Sequence, residues 1–409
     1  MKAHETDVLI IGAGAAGLMA AGSVKNHTVT VLERNEKSGK KLYITGKGRC
    51  NVTNDCSVGD CVAHVVSNPK FLFSALHAFT PTDTRALLSE YGCETKVERG
   101  GRVFPVSDKA SDVIKALYLR AEQNGATFCF NTRVQRIEKT EDGFCVRTET
   151  GDYACRTLLL ATGGKSYPQT GSEGDGYAFA KALGHTVTPL RPSLVPLRLK
   201  ESVSELAGVS LKNVSVTLSD ERGKSLSRFG EMLFTHDGVS GPVVLWLSAH
   251  FASLTPPVRL SIDLKPALDA QTLDKRFVRE AAENGVKTLK NMLCRLLPKA
   301  LVLPVLAQSG VSPNKKGNEL TKEERGSLGT AMKNLSFTVL GTHSFDEAVV
   351  TSGGVCVKEL DPKTMRSKLV KNLYFAGELI DIDAVTGGFN IQLAFSTAQA
   401  AAKAISEDA

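Results

Sequence analysis

The chain has 409 residues, 42% of them hydrophobic and 23% charged, a length that predicts two or three domains and a composition that excludes disordered and collagen-like classes. Its 50 Lys and Arg against 43 Asp and Glu leave a formal charge of +7, a basic excess suited to solubility or to an anionic partner, with no run dense enough for a nucleic-acid arm. Nine cysteines, an odd number without C-x-x-C spacing, read as reduced packing thiols of a cytoplasmic protein rather than as a disulfide framework or a zinc site.

Asp7 to Ile11 predicts a buried strand that runs into Gly12-Ala13-Gly14-Ala15-Ala16-Gly17. In G-x-G-x-x-G spacing the first glycine allows the tight turn, the second lets backbone approach a pyrophosphate, and the third lets the following helix pack on the strand. That helix, to about Val24, offers free N–H groups and a positive dipole end to phosphate. A second strand, Thr28 to Leu32, ends in Glu33, at the spacing where a carboxylate bonds a ribose 2′-hydroxyl and repels a 2′-phosphate, which favours FAD or NAD over NADP. The uncharged run Val8 to Val24 is broken by Gly12, Gly14, Gly17 and Gly22 and follows Glu5 and Asp7, so neither a signal peptide nor a membrane span is expected.

The stretch Lys37 to Asn54 carries Gly39, Gly46 and Gly48 beside Lys40, Lys41 and Arg49, a loop built to lie against phosphate or a flavin ring. Pro69 to Tyr91 reads as helical, Val97 to Pro105 as a glycine-rich hairpin, and Ser111 to Glu122 as an amphipathic helix. Strand Ala126 to Phe130 and a segment through Val134 and Ile137 lead to a hairpin of Gly143 to Thr148 with Tyr153 to Ala161. The last strand stops at Gly163-Gly164, as parallel strands do where they deliver backbone to a cofactor. Gly171 to Gly176 precedes a helix from Tyr177 to Leu183, and its acidic pair argues for a structural turn over a second anion site.

Pro189, Pro192 and Pro196 predict a domain boundary. Alternation at Val209/Leu211 and Val214/Val216/Leu218 then predicts an antiparallel β domain, and Pro242 opens an apolar helix to about His250. Strand Val258 to Leu264 precedes helical stretches at Leu273 to Glu283, Thr288 to Leu297, Lys299 to Leu306 and Thr321 to Leu335, the last with a Thr321/Glu324 capping box. Ser336 to Gly341 returns to strand. Leu373 to Gly377 is a buried strand ending in glycine, and Thr386 to Asn390 opens a helix with Ile391, Phe395, Ala398, Ala402 and Ile405 on one face. The expected fold is α/β, with a doubly wound Rossmann-like domain from residues 1–190 and 345–409, an inserted antiparallel β-barrel-like domain from 191–268 and 335–344, and a helical subdomain from 269–334.

Four cofactor-type turns lie far apart in the chain, at Gly12–Gly17, Gly39–Asn51, Gly163–Gly164 and Gly377–Ile391. A long cofactor explains such scatter, so FAD is preferred to NAD, with adenosine at Glu33, pyrophosphate at Gly12–Gly17, and the ring at the last helix near Gly387 and Gly388. A helix N-terminus aimed at the ring stabilises the charge of its reduced form. Asp383 is expected to bond a cofactor hydroxyl or to shape the approach turn, and Asn390 to donate to the ring or to cap the helix.

Gly12 to Gly17, Ile44-Thr-Gly-Lys-Gly-Arg-Cys-Asn-Val-Thr-Asn54, Gly101-Arg-Val-Phe-Pro105, Ala161-Thr-Gly-Gly164, Leu233-Phe-Thr-His-Asp-Gly-Val-Ser-Gly-Pro242, Gly377-Glu-Leu-Ile-Asp381 and Thr386-Gly-Gly-Phe-Asn-Ile-Gln392 resemble the bacterial YhiN-like (BaiN/RdsA) flavoprotein family over essentially the whole length. The resemblance implies FAD contacts at Gly12, Gly14, Ala15, Gly17, Glu33, Arg34, Lys41, Gly46, Arg49, Asn51, Val134, Gly163, Gly377, Asp383, Gly388, Asn390 and Ile391. It implies activities that differ among members: reduction of conjugated C=C bonds in bile-acid intermediates, reduction of a ribosomal RNA uridine to dihydrouridine, and oxidation of a small amino ketone.

The expected reaction is reduction of a bound flavin, with NAD(P)H as transient reductant because no second G-x-G-x-x-G exists, followed by hydride transfer to the β-carbon of a conjugated double bond and protonation of the α-carbon. His236, Asp237, Cys50 and Tyr167 are the candidate acids, each with a hydrogen-bonded loop role as its alternative. The substrate is either rRNA, toward which the basic excess points, or a small polycyclic or amine molecule, with no membrane partner and no oligomeric state fixed. An amine oxidase releasing hydrogen peroxide and a non-catalytic flavin-containing RNA-binding factor are the alternatives of other classes.

Overall fold

In a computed structural model of the protein, which describes residues 3–408, the chain divides into two units: one assembled from both of its ends, through Ser193 and again from Ser344, and one from Leu194–His343. In the first unit the strand His4–Ile11 lies between Val29–Leu32 and Asp152–Leu160, parallel to both. Thr127–Cys129 extends the sheet beyond Val29–Leu32. On the other side Asp152–Leu160 changes partner along its length. Its first half pairs antiparallel with Phe144–Thr148, which pairs in turn with Val134–Lys139, and its last three residues pair parallel with Leu373–Phe375.

The sequence of that strand encodes the change. Asp152 to Arg156 alternates exposed and buried, and Leu158-Leu159-Leu160 is buried throughout, because a doubly covered parallel position needs apolar side chains on both faces. The helix Phe389–Glu407 packs on the alanine-rich helix Ala15–Ala21 and on Phe73–Ala78. Its buried set is wider than the five-residue stripe expected, since Gln392, Ser396 and Thr397 are also fully buried. They are tolerated because every polar atom finds a partner. Gln392 Oε1 accepts from Thr53 Oγ1 (2.6 Å) and Thr84 Oγ1 (2.8 Å), and its Nε2 donates to Phe79 O (3.2 Å) and Ser396 Oγ (3.0 Å).

The helical stretch from Pro69 is not continuous. It resolves into Pro69–Leu72, Phe73–Ala78 and Pro81–Glu90. Pro81 has no N–H to continue a helix, and Thr80 caps a new one, accepting from Asp83 N while the Asp83 carboxylate accepts from Thr80 N at 2.8 Å. A short antiparallel ladder of Arg191–Ser193 with Val350–Ser352 lies close in sequence to both points where the chain leaves this unit.

The second unit is a closed barrel in the order Leu197–Leu199, Gly238–Ser240, Ser225–Phe234, Ser210–Asp220, Val258–Asp263 and Leu335–Thr342. The helices Ala270–Asn284, Lys299–Ser309 and Lys322–Lys333 share one apolar core with it, joining Phe277, Leu301 and Leu328 to Phe234, Ile262 and Phe337. The Thr321/Glu324 capping box forms as expected. Among the described residues no helix is long and apolar enough to cross a membrane.

His185, just past the helix Asp175–Ala182, is buried with Nδ1 3.1 Å from Glu359 Oε2 and Nε2 2.8 Å from Ser367 Oγ. Burial holds its imidazolium form down, and the Glu359 carboxylate pulls only part of the way back. The unfolded chain, with an ordinary histidine value of about 6.5, therefore binds the proton first, so stability is lost as pH falls below that value. Thermal unfolding of wild type is expected to drop more steeply between about pH 7 and pH 5.5 than that of His185→Gln. Parallel profiles for the two proteins would refute this.

Candidate cofactor site

The strand His4–Ile11 leads into Gly12, whose N–H donates to Leu32 O at 2.8 Å and whose φ of +102° only glycine holds without strain. A Cβ on Gly17 would lie 1.8 Å from Gly12 O, so the third glycine is demanded by helix–turn contact. Around Gly14 nothing lies within 4 Å of where a Cβ would sit, leaving the open face that a pyrophosphate needs beside the N-terminus of Ala15–Ala21.

Glu33 is buried, and both carboxylate oxygens have protein partners. Oε2 accepts from Ala13 N (2.8 Å), and Oε1 accepts from Asn35 N (2.9 Å) and Asn35 Nδ2 (2.7 Å). Glu33 therefore fastens the glycine turn to the end of the second strand. A pocket opens beside it, lined by Gly12, Glu33, Arg34, Val134, Thr162 and Asp175 among others. Arg34 pairs with Glu173 (3.0 Å) and Asp175 (3.2 Å), and Arg133 joins the same two acids. The acidic pair in Gly171–Gly176 thus partners two arginines at the pocket rim. Thr162 Oγ1 is buried there without a partner.

At the other end, the N-terminus of Phe389–Glu407 is capped by Gly388 in left-handed conformation, with no side-chain bond to the first turn. A Cβ on Gly388 would lie 2.2 Å from Thr53 O and 2.9 Å from Asn51 Oδ1. Asn51 Oδ1 is itself buried without a partner. Free helix N–H donors beside one orphaned acceptor match the carbonyls and N–H of a flavin pyrimidine edge, and the open glycine turn with the Thr162 pocket matches a dinucleotide. The residues present fit FAD.

Several residues expected to touch the cofactor are held by protein groups. Lys41 Nζ bonds Glu378 Oε2 (2.8 Å) and Ser166 Oγ (2.7 Å). Arg49 lies over the Phe104 ring at 4.0 Å and pairs with Glu98 (2.7 Å) and Asp108 (3.3 Å). Asp383 is fully buried, accepting from Ser193 Oγ (3.2 Å) and Ser352 Oγ (3.3 Å), and burial pushes its carboxyl above the usual range. Asn390 closes the turn before the last helix, its Oδ1 accepting from Ala384 N (2.9 Å) and its Nδ2 donating to Ala384 O (2.8 Å). Gly163 and Gly377 both have positive φ, and Ile391 lies half-buried in the first turn of the last helix. Two residues that sequence reasoning did not single out bind this region together: Asn54, whose Nδ2 donates to Gly100 O and Gly387 O, both at 3.0 Å, and Glu378. Asn54 lies inside the quoted G-R-C-N-V-T-N string, and Glu378 directly follows Gly377.

The candidate acids divide between the two units. His236 and Asp237 are exposed on the Thr235–Gly238 turn of the barrel unit, where Asp237 lies 3.9 Å from Arg198 and 3.4 Å from His343. Cys50 is fully buried, and burial pushes its thiol up to about 12, so it holds its proton at neutral pH. Tyr167 follows Gly163-Gly164, half-buried, with φ at +52° and its N–H donating to Phe345 O at 3.1 Å.

The sequence pattern of the HI0933-like protein Rossmann domain matches residues 6–404. A 3-dehydro-bile acid delta(4,6)-reductase of Clostridium scindens is 32% identical over 405 residues, covering 97% of this chain and 98% of that protein. A ribosomal RNA dihydrouridine synthase of Haemophilus influenzae is 34% identical over 406 residues with the same coverage, and one of Escherichia coli is 34% identical over 403 residues, covering 97% of each chain. Among solved structures, 3-ketosteroid-delta4-(5alpha)-dehydrogenase of Rhodococcus jostii superposes with a TM-score of 0.53 at 14% identity, covering 98% of this chain and 96% of that one, a likeness of fold. As its motifs led us to expect, the chain belongs to the HI0933-like family and is an FAD-dependent oxidoreductase.

Proposed function

We propose that the protein reduces a C=C bond conjugated to a carbonyl. The observation that carries this is full-length similarity to relatives whose names describe two such reactions, saturation of steroid 4,6-double bonds and of the uracil ring in rRNA. When bound, FAD supplies a two-electron carrier whose reduced ring gives hydride to an electron-poor alkene. The residues of this chain do the rest. Gly12, Gly14 and the start of Ala15–Ala21 would hold the pyrophosphate, and Val134 and Thr162 would line the adenosine pocket. The N-terminus of Phe389–Glu407 would face the pyrimidine edge with Asn51 as its acceptor, stabilising negative charge there. Arg49, Lys41, Asp383 and Asn390, already paired, would fix the walls.

The α-carbon needs a proton, and Tyr167, half-buried three residues after Gly164, is its proposed donor. A left-handed non-glycine residue costs about 1–3 kcal/mol, and such strain collects at functional sites. Reductant would be NAD(P)H docking transiently, since the chain has no second dinucleotide fingerprint. The test is anaerobic reduction of the yellow protein with NADH or NADPH, then mixing with total rRNA or with a steroid dienone. Faster reoxidation by one of the two names the substrate class. Reoxidation by neither above the buffer rate would sink the proposal. Tyr167→Phe is expected to slow reoxidation by substrate roughly 10²- to 10⁴-fold and to leave reduction by nicotinamide unchanged. Equal rates in both steps would remove Tyr167 from the chemistry.

A further inference from the structure

The basic excess of the chain is not spread along it. Between Lys275 and Lys316 stand nine Lys and Arg against two Glu, which accounts for the whole formal charge of +7 and leaves the rest of the chain formally neutral. No part of this stretch is a dense basic run; the fold gathers it. Leu289 N donates to Lys315 O (2.8 Å), Lys290 N to Pro313 O (3.1 Å) and Gly317 N to Lys287 O (3.0 Å), and Thr288 bridges to Lys316. Lys287 and Lys290 therefore lie across a backbone pairing from Lys315 and Lys316. Asn318 N, donating to Gly285 O at 3.0 Å, joins that pairing to the end of the helix Ala270–Asn284, which carries Lys275 and Arg279 one turn apart.

Few of these charges are consumed within the protein. Arg276 (2.8 Å) and Arg295 (3.1 Å) share the buried Glu280, and Lys315 holds Glu324 at 2.7 Å. Asp274, which precedes the stretch, pairs with Arg325 at 2.7 Å, and Glu319, which follows it, accepts from Lys316 N at 3.3 Å. The remaining Lys275, Arg279, Lys287, Lys290, Lys299 and Lys316 are all exposed, and among the described residues none of them has a carboxylate in ion-pair range. Leu273, Phe277, Leu289, Met292 and Leu293 lie in the core. That leaves Val278 and Val286 as the exposed large apolar side chains between Lys275 and Lys299, too few for the apolar face by which a basic helix enters a membrane.

We propose that this face of the second unit, with Lys287, Lys290 and Lys316 at its centre, binds the phosphate backbone of an RNA. Concentrated charge of one sign costs the folded state self-repulsion, and a polyanion relieves it while releasing its own counterions. Five of the six free cations are lysines, point charges that hold phosphate without the forked geometry that reads a base edge. The face therefore supplies affinity that is indifferent to sequence, and selection of the reacting base lies elsewhere. The inference rests on the rRNA alternative of the function proposed above and deepens it, since a steroid has no row of phosphates to meet these side chains.

The test uses the full-length flavoprotein and a labelled single-stranded RNA of mixed sequence, with fluorescence anisotropy followed over about 50–200 mM salt. Lys287→Gln, Lys290→Gln and Lys316→Gln combined should weaken binding roughly 10- to 100-fold and make the slope of log affinity against log salt shallower by about 2. Lys25→Gln, Lys115→Gln and Lys371→Gln combined, all exposed on the first unit, should leave both unchanged. In wild type the same RNA should shield Lys287, Lys290 and Lys316 from acetylation, a readout that needs no variant to fold. Equal binding by the two triple variants, or acetylation at these lysines that RNA does not slow, would overturn the proposal. So would wild type that ignores RNA and binds phosphatidylglycerol vesicles through them. Flavin reoxidation separates this face from the function it builds on. RNA that binds here and reoxidises nothing removes rRNA as substrate and leaves the face standing, whereas rRNA that reoxidises the Lys287/Lys290/Lys316 variant with an unraised KM removes the face and leaves the substrate.

Discussion

Gly17→Ala is expected to damage the fold itself, whereas Gly14→Ala, three residues earlier, should fold normally and lose its grip on FAD. The new methyl at Gly17 would sit 1.8 Å from Gly12 O and 2.9 Å from Gly12 C. These are backbone atoms that cannot swing aside, so the helix must move off the sheet, at a cost of about 3 kcal/mol or more. Against a total stability of about 5–15 kcal/mol, that lowers the Tm of the flavin-free protein by roughly 5–10 °C. The Gly14 methyl meets no protein atom within 4 Å. It occupies the space assigned to the pyrophosphate, so the flavin-free Tm should hold while the rise in Tm on adding FAD shrinks with the weakened affinity. Melting curves of both variants with and without FAD separate the two. If Gly14→Ala binds FAD as wild type does, the phosphate is not at this turn.

Gln392→Leu is expected to cost about 2 kcal/mol or more, because a buried polar group left without a partner costs about 1–3 kcal/mol. The substitution strands the Thr53 hydroxyl, leaves Thr84 Oγ1 only its 3.4 Å bond to Thr80 O, and removes one bond each from Phe79 O and Ser396 Oγ, which keep each other at 2.7 Å. Because Thr53 O also lies against Gly388, the loss should loosen the turn before the last helix and speed FAD release. Urea unfolding would show a lower midpoint with an unchanged m-value. A loss below about 1 kcal/mol would mean that the network relaxes onto new partners.

How far the sequence discloses the structure differs between elements. Val8 to Ile11, Leu158 to Leu160 and Leu373 to Phe375 are legible as buried strands because unbroken apolar runs ending near glycine have few other uses. The glycine fingerprint is legible for the same kind of reason, since steric need fixes residue type. The protein partners of charged residues are not. Glu33 sits at the ribose-binding spacing, yet its oxygens are taken by Ala13 and Asn35, and Arg49 lies in a cofactor-like loop yet serves Glu98 and Asp108. A carboxylate or guanidinium bonds whichever partner the fold delivers, and apart from Asn35, two positions on, those partners lie 20 to 59 positions away. The break at Thr80–Pro81 was visible in principle, since a capping Thr, a Pro and an Asp three residues after the cap spell a helix start.

The late pairing of Leu373–Phe375 with Leu158–Leu160 has a consequence for how the protein is made. At about 5–20 residues per second, a ribosome needs on the order of ten seconds or more to travel from one partner to the other. Through that interval the nascent chain presents an unzipped, wholly apolar strand margin, the kind of surface that recruits neighbouring polypeptides. The barrel, contiguous in sequence and closed on itself, can finish meanwhile. Chaperone capture and translation speed should therefore govern the yield of coloured protein more than flavin supply does. A pause placed after the codons for Leu158–Leu160 should lower that yield, and one placed after those for Leu373–Phe375 should not.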